Sequence, residues 1–182
     1  MKLTLIKEYI KSDLYRYAAD TSGKSFIKNY IRNRSFKFSF WLRLTKTNRR
    51  VLKFIAMFML DRLSRKYGVQ ISRNSSIGFG LYIAHGMSII INPTTKIGNN
   101  CNLSQFTSIG SNEGEAATIG DEVYIGPNVC IVENVNIGSF STIGAGAVVV
   151  KDVPKNSTVA GVPAKVLNNI SPARYIKNKW IL

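Results

Sequence analysis

The chain has 182 residues, 45% of them hydrophobic and 19% charged, and its 25 Lys and Arg against 10 Asp and Glu leave a formal net charge of +15. That apolar fraction excludes a disordered chain, and no apolar run approaches the roughly 20 residues that cross a bilayer. Met1 to Ile10 is broken by Lys2, Lys7 and Glu8, unlike a secretory leader, and Cys101 and Cys130 make neither a disulfide framework nor a metal-ligand spacing, so the cytoplasm is the expected compartment.

In chain order, residues 1 to 73 hold 18 Lys and Arg against 4 acids, a net of +14, while residues 74 to 182 hold 7 against 6, a net of +1. Leu3, Ile6, Ile10, Leu14 and Tyr17 recur at three- and four-residue spacing, which predicts a helix. Val51 to Leu63 is a dense apolar run that predicts a second, with Gly68 as its stop. Between them Phe36 to Arg43 is aromatic and basic together. The apolar faces are expected to pack on each other and on the open edge of the repetitive region that begins near residue 71. The basic face, with its Phe, Trp and Met residues, suits an anionic membrane surface or an anionic glycan. No recognisable nucleic-acid motif accompanies the charge, so nucleic acid is not an expected partner.

From residue 71 the chain repeats every six residues. Ile71, Ile77, Ile83 and Ile89 are followed, after a two-residue slip, by Ile91, Ile97, Leu103 and Ile109; after a longer insertion come Ile119, Ile125, Ile131, Ile137, Ile143 and Val149. Gly follows the aliphatic residue at 78, 98, 110, 120, 126, 138 and 144, and small or β-branched residues recur four places on, as at Ser75, Thr107 and Val129. Neither a helix nor an alternating strand has a six-residue period. A coil with three short flat faces does, each turn taking three hexads, so roughly four to five stacked coils are predicted over 71 to 153. The glycines are expected to supply backbone freedom at the corners. Cys101 and Cys130 read as small packing residues. The tail from Ser171 to Leu182 reads as a short amphipathic helix anchored by Trp180.

The repeat, the closing run from Ile143 to Pro154 and the stretch Ala160-Gly-Val-Pro-Ala-Lys165 resemble the hexapeptide-repeat acyltransferases. The segment Ile83 to Gly98 is most similar to their serine acetyltransferase branch. The resemblance implies a mainly β fold, a left-handed parallel β-helix over 71–166; the helical readings above place an α-helical region over 1–70 before it and a tail helix over 167–182 after it. It also implies acetyl-CoA as donor, a hydroxyl or amine as acceptor, and a homotrimer with sites between neighbouring prisms.

Acetyl transfer to an alcohol requires a base for the hydroxyl proton, and imidazole suits that task near neutral pH. His85 is the chain's one His, and it matches the family's catalytic His. One His also excludes the three-His zinc site of the β-helix carbonic anhydrases, so no metal is expected. The serine enzymes place an Asp fifteen residues upstream of the His and another directly before it, where this chain has Gln70 and Ala84. Their loop carries Arg-His-Pro where this chain reads Glu115-Ala116-Ala117. Gln70, a backbone carbonyl, or Glu113 and Glu115 of the insertion are the candidates to orient the imidazole.

For the donor, the resemblance implies a groove along the C-terminal coils, with Gly126, Ala145 and Gly161 exposing amides to the pantetheine arm and Lys151 and Lys165 meeting the phosphates. A zwitterionic serine needs a carboxylate and a cation, and both are missing where the family places them. The expected acceptor is therefore a hydroxyl of a sugar, of a surface polysaccharide or of its precursor. Serine O-acetylation for cysteine biosynthesis is the alternative, and an inactive β-helix scaffold with a membrane- or polyanion-binding N-terminus is the alternative of another class. The bulk of the charge reads as a second contact, to membrane lipid at the inner face of the membrane or to acidic polysaccharide.

Overall fold

The computed structural model describes residues 1–182 apart from 171, 172, 174 and 182. Four helices come first: α1 (Leu3–Ala18), α2 (Gly23–Arg32), α3 (Arg34–Leu44) and α4 (Arg50–Tyr67). Gly68 closes α4 at φ 66°, a left-handed position at which a side chain would be strained. Ser22 caps α2 and Asn33 caps α3 through side-chain oxygens that accept from Ser25, and from Ser35 and Phe36, respectively.

The remainder winds into about five turns with three parallel faces. On the first face Ile71 pairs with Ile91, which is followed by Ile109, Ile131 and Val149. On the second, Ile77, Ile97, Ile119 and Ile137 stack, with Val153 completing the ladder through a bridge. The third stacks Ile83, Leu103, Ile125, Ile143 and Val159. The six-residue aliphatic period is thus realised as three inward ladders, continuous with one core running from Val69 to Val159. The small residues between them, including Ser75, Thr107, Val129 and Ala147, are buried as well.

The corners correct one expectation. The glycines after the aliphatic positions do not take left-handed backbone; that conformation falls to Asn100, Phe106, Glu122, Asn128, Asn134, Phe140 and Asn156, three places after the aliphatic residue. The glycines serve space instead. A Cβ at Gly98 would lie 2.7 Å from the Gly120 backbone, and one at Gly138 would lie 2.4 Å from the Lys155 nitrogen. Successive turns are too close there for any side chain.

Helices α1 and α3 close the first turn with polar groups as well as apolar ones. Asp13, fully buried, receives two hydrogen bonds from Arg43 at 2.9 Å and one from the Leu81 amide at 2.8 Å. Arg43 also donates to the Ile77 and Gly78 carbonyls, and Arg16 donates to the Gly80 carbonyl and to Asn102. Three acceptors that a bare coil edge would leave open are thereby satisfied. Phe36 and Phe38 are buried in the helical and coil cores, so the aromatic stretch of α3 is not a free surface as the membrane reading required. Exposed apolar side chains lie instead on α2, at Ile27 and Ile31, and on α4, at Val51, Phe54, Ile55 and Phe58.

The expected C-terminal helix is not seen where the chain is described. Lys165–Asn168 is an antiparallel strand on Thr158–Ala160, and Ala173 and residues 175–181 contain no helix. Ser171, Pro172, Arg174 and Leu182 lie outside the described residues. Trp180 does anchor the tail, exchanging backbone hydrogen bonds with the Asn100 side chain and meeting Tyr15 edge-on. Cys101 is buried, which pushes its thiol up to about 12, whereas Cys130 faces outward and is exposed, contrary to its expected packing role.

Candidate active site

His85 lies just past the strand Tyr82–Ile83, which pairs with Asn102–Leu103 of the next turn. Tyr17 of α1 pins that strand: its hydroxyl accepts from the Ile83 amide at 2.9 Å and donates to the Ile83 carbonyl at 3.2 Å. Burial pushes the Tyr17 phenol far above its ordinary range, so it stays protonated and structural. His85 itself takes left-handed backbone at φ 60°, followed by Gly86 at φ 42°. A Cβ at Gly86 would lie 2.5 Å from the Ser35 hydroxyl, so α3 packs directly against this turn and holds it. The imidazole is exposed and makes no hydrogen bond with another described residue of its own chain.

The imidazole faces an open groove of about 430 Å³. Its opposite wall is built by the α2–α3 junction, including Lys28, Arg32 and Arg34. By sequence the basic excess lies away from His85; folding brings three of those cations beside it. Composition registers the charge, but no local pattern links these residues to His85.

Gln70 occupies a different place. It points outward from the first face beside Ile90, in a groove of about 510 Å³ shared with Ser64, Asn92, Ser111 and Asn112. Within one chain the Gln70 groove and the His85 groove are separate, so the two residues are not brought together here. Glu113 and Glu115 are exposed on the insertion that borders the Gln70 groove. That insertion is organised by Glu133, a residue that no sequence pattern singled out. Its carboxylate accepts from the amides of Asn112, Glu113 and Gly114 and from the Ser111 hydroxyl. These bonds, led by that of Glu113, hold the Glu133 carboxyl down to about 2. The only sequence signal for this is an acid at a coil corner one turn after an insertion.

A third groove, of about 390 Å³, runs along the last turns and is lined by Tyr124, Thr142, Gly144, Ala145, Ala160 and Tyr175, among others. Of the expected donor-binding residues, Ala145 lines it. Gly126 sits at its back, where a Cβ would meet the Ile143 carbonyl at 2.8 Å. The Gly126 amide is bonded to that carbonyl at 2.9 Å, so it is not free for a ligand, contrary to expectation. Gly161 is exposed at φ 98°, beyond Ala160. Lys165 lies on the terminal strand opposite Ala160, and Lys151 is exposed outside the groove lining. Small residues leave the wall of this groove open to an elongated ligand. Among the described residues no group of His, Cys, Asp and Glu could hold a metal.

Residues 116–151 match the model of the bacterial transferase hexapeptide family. The chain is 36% identical over 124 residues to a serine acetyltransferase of Bacillus pumilus, covering 65% of this chain and 57% of that one. With the Bacillus subtilis serine acetyltransferase it shares 35% over 114 residues, 60% and 52% of the two chains. Against the structure of Neisseria gonorrhoeae serine acetyltransferase in complex with serine, the TM-score is 0.73 at 34% identity, covering 89% of this chain and 69% of that one. The chain belongs to the hexapeptide-repeat, left-handed β-helix acyltransferase family. It spans little more than half the length of these two Bacillus relatives. A serine acetyltransferase from Brucella abortus in complex with coenzyme A shares the family fold at a TM-score of 0.72.

Proposed function

We propose that this hexapeptide-repeat protein is an acetyl-CoA-dependent O-acetyltransferase, with His85 as general base and serine as the acceptor. The observation that carries the reading is the placement of the chain's one imidazole, exposed in a groove just past a strand pinned by Tyr17. Nε2 or Nδ1 of His85 takes the proton of the acceptor hydroxyl as its oxygen attacks the thioester carbonyl. The tetrahedral intermediate collapses, the C–S bond breaks, and the imidazolium returns the proton to the departing CoA thiolate. The groove of the last turns, with Ala145 on its wall and Gly126 behind it, is the proposed seat of CoA, with Lys165 and Lys151 near its phosphates. In this reading 71–166 carry the chemistry, 1–70 close the first turn and 167–182 strap the tail to both.

Serine displaces the polysaccharide sugar expected from the sequence as the first choice because the relatives the chain matches are serine acetyltransferases. The sugar hydroxyl remains the second reading, favoured by Gln70, Ala84 and Glu115-Ala116-Ala117 in place of the groups expected to hold a zwitterion. Replacing His85 with Ala is expected to lower acceptor-dependent thiol release from acetyl-CoA by about 10²-fold or more. Unchanged turnover would sink the base assignment, whereas no thiol release by the unsubstituted chain with any acceptor would favour an inactive scaffold. L-serine assayed beside neutral and acidic sugars decides the acceptor.

A homotrimer completes the proposal, since Gln70 and His85 lie in separate grooves of one chain and a neighbouring prism would bring a second groove to each; light scattering giving a monomer would refute it. No helix of the described residues is long and apolar enough to cross a membrane. A peripheral contact would use the exposed Val51, Phe54 and Phe58 face of α4, and failure to sediment with anionic vesicles would exclude it.

A further inference from the structure

We propose that the groove beside His85 recognises an anionic group on the acceptor through Lys28, Arg32 and Arg34. The proposal rests on the O-acetyltransferase reading and names the chemical class that site takes.

Lys28 and Arg32 stand four residues apart on α2, hence on one face of it, and Arg34 opens α3. All three line the groove that His85 enters, and no Asp or Glu lines it. None of the three is in an ion pair among the described residues, whereas Arg43 is committed to Asp13 and Arg65 to Asp61. Three uncompensated cations on a concave wall focus a positive potential into it. The Arg34 guanidinium is held in place, over the Tyr67 ring at 5.7 Å and 3.8 Å from the Met87 sulfur. Some of the neutral polar groups beside them are already engaged. The Asn33 side chain accepts from the Ser35 and Phe36 amides, and that of Asn29 donates to the Ser25 carbonyl. The charged groups on this wall are all cations, and Arg in particular takes a carboxylate or phosphate through paired hydrogen bonds.

The acceptor then carries its anion at the α2–α3 wall and its hydroxyl at His85. For serine the anion is the carboxylate, and the ammonium meets no acid in this groove. For a sugar it is a uronate or a phosphate. The shared chemistry is an anionic hydroxyl compound.

Thiol release from acetyl-CoA by the full chain, at fixed ionic strength, tests this with matched pairs: L-serine against L-serinamide, and glucuronate against glucose. Within the pair that turns over, the anionic member is expected to have at least about tenfold higher kcat/KM, carried by KM, and salt should erode the preference. The Arg32→Gln, Arg34→Gln double variant should shrink that ratio about tenfold, and Arg32→Lys should keep part of it. A neutral member that does as well, or a ratio unchanged in the double variant, overturns the proposal. Failure of the base assignment is read separately, as His85→Ala retaining turnover with the same acceptor. Because His85 is the one imidazole, its NMR signal reports binding without turnover; no saturable shift with either L-serine or glucuronate also overturns the proposal.

Discussion

The β-helix and the helical region solve the same problem, burying a chain of modest size, in opposite ways. In the β-helix every inward position is filled by repetition: a ladder such as Ile83, Leu103, Ile125, Ile143 and Val159 stacks like on like, and backbone hydrogen bonds run from turn to turn. The helical region has no repeat and relies on particular pairs. Asp13 and Arg43 meet across thirty residues of chain and together serve the first turn's Leu81 amide and the Ile77 and Gly78 carbonyls. Stability is spread evenly over the first region and concentrated at a few contacts in the second. A repeat tolerates the loss of one rung better than a buried ion pair tolerates the loss of one partner.

The largest effect should follow from breaking that pair. Asp13→Ala leaves the Arg43 guanidinium buried without its counter-ion and is expected to cost about 3–5 kcal/mol in urea unfolding. A loss below that of a single core rung would show that the helices are not held at this point. Leu103→Ala, a single rung, should cost about 2–5 kcal/mol. Next come the glycines. Gly138→Ala puts a methyl against the Lys155 backbone and should cost about 1–3 kcal/mol, whereas Gly110→Ala, with nothing within 4 Å of the added carbon, should be close to neutral. Equal costs at the two sites would restore backbone freedom as the reason for glycine here.

A smaller, local effect concerns Glu133. Its carboxyl is held down to about 2 by hydrogen bonds to its ionised form, so the stabilisation is fully present above the ordinary carboxylate range and is lost as pH falls through that range toward 2. The amide signals of Asn112, Glu113 and Gly114 should stay fixed from neutral pH to about 4.5 and move only below it; movement near pH 5 to 6 would contradict the assignment. The smallest effect is expected for Phe54→Ser, on the exposed face of α4, within about 0.5 kcal/mol of wild type for the isolated chain. A larger loss of stability that depends on protein concentration would identify that face as a contact between copies.

Much of the β-helix was legible from the residues because its rule is local. An aliphatic side chain every sixth residue leaves one arrangement that buries them all, and the two slips in the period fall where the turns lengthen. His85 was legible as the one imidazole matching a family position. The glycine role was misread because spacing along the chain does not reveal how near the next turn lies. Cys130 was misread because its place in the hexad points outward. The tail was taken for an amphipathic helix, but Trp180 anchors it without one, through Asn100, eighty residues away.

The sequence by itself determined the coil, its inward ladders and the presence of a strong positive charge, since each is written in composition or in a short period. Only the tertiary structure decided where that charge acts. Arg16 and Arg43 are spent on the edge of the first turn, and Lys28, Arg32 and Arg34 are carried to the groove of His85, fifty or more residues further along the chain. The physical reason is that helix packing, unlike a stacked repeat, brings together residues with no fixed separation, so no local pattern announces which of them will meet.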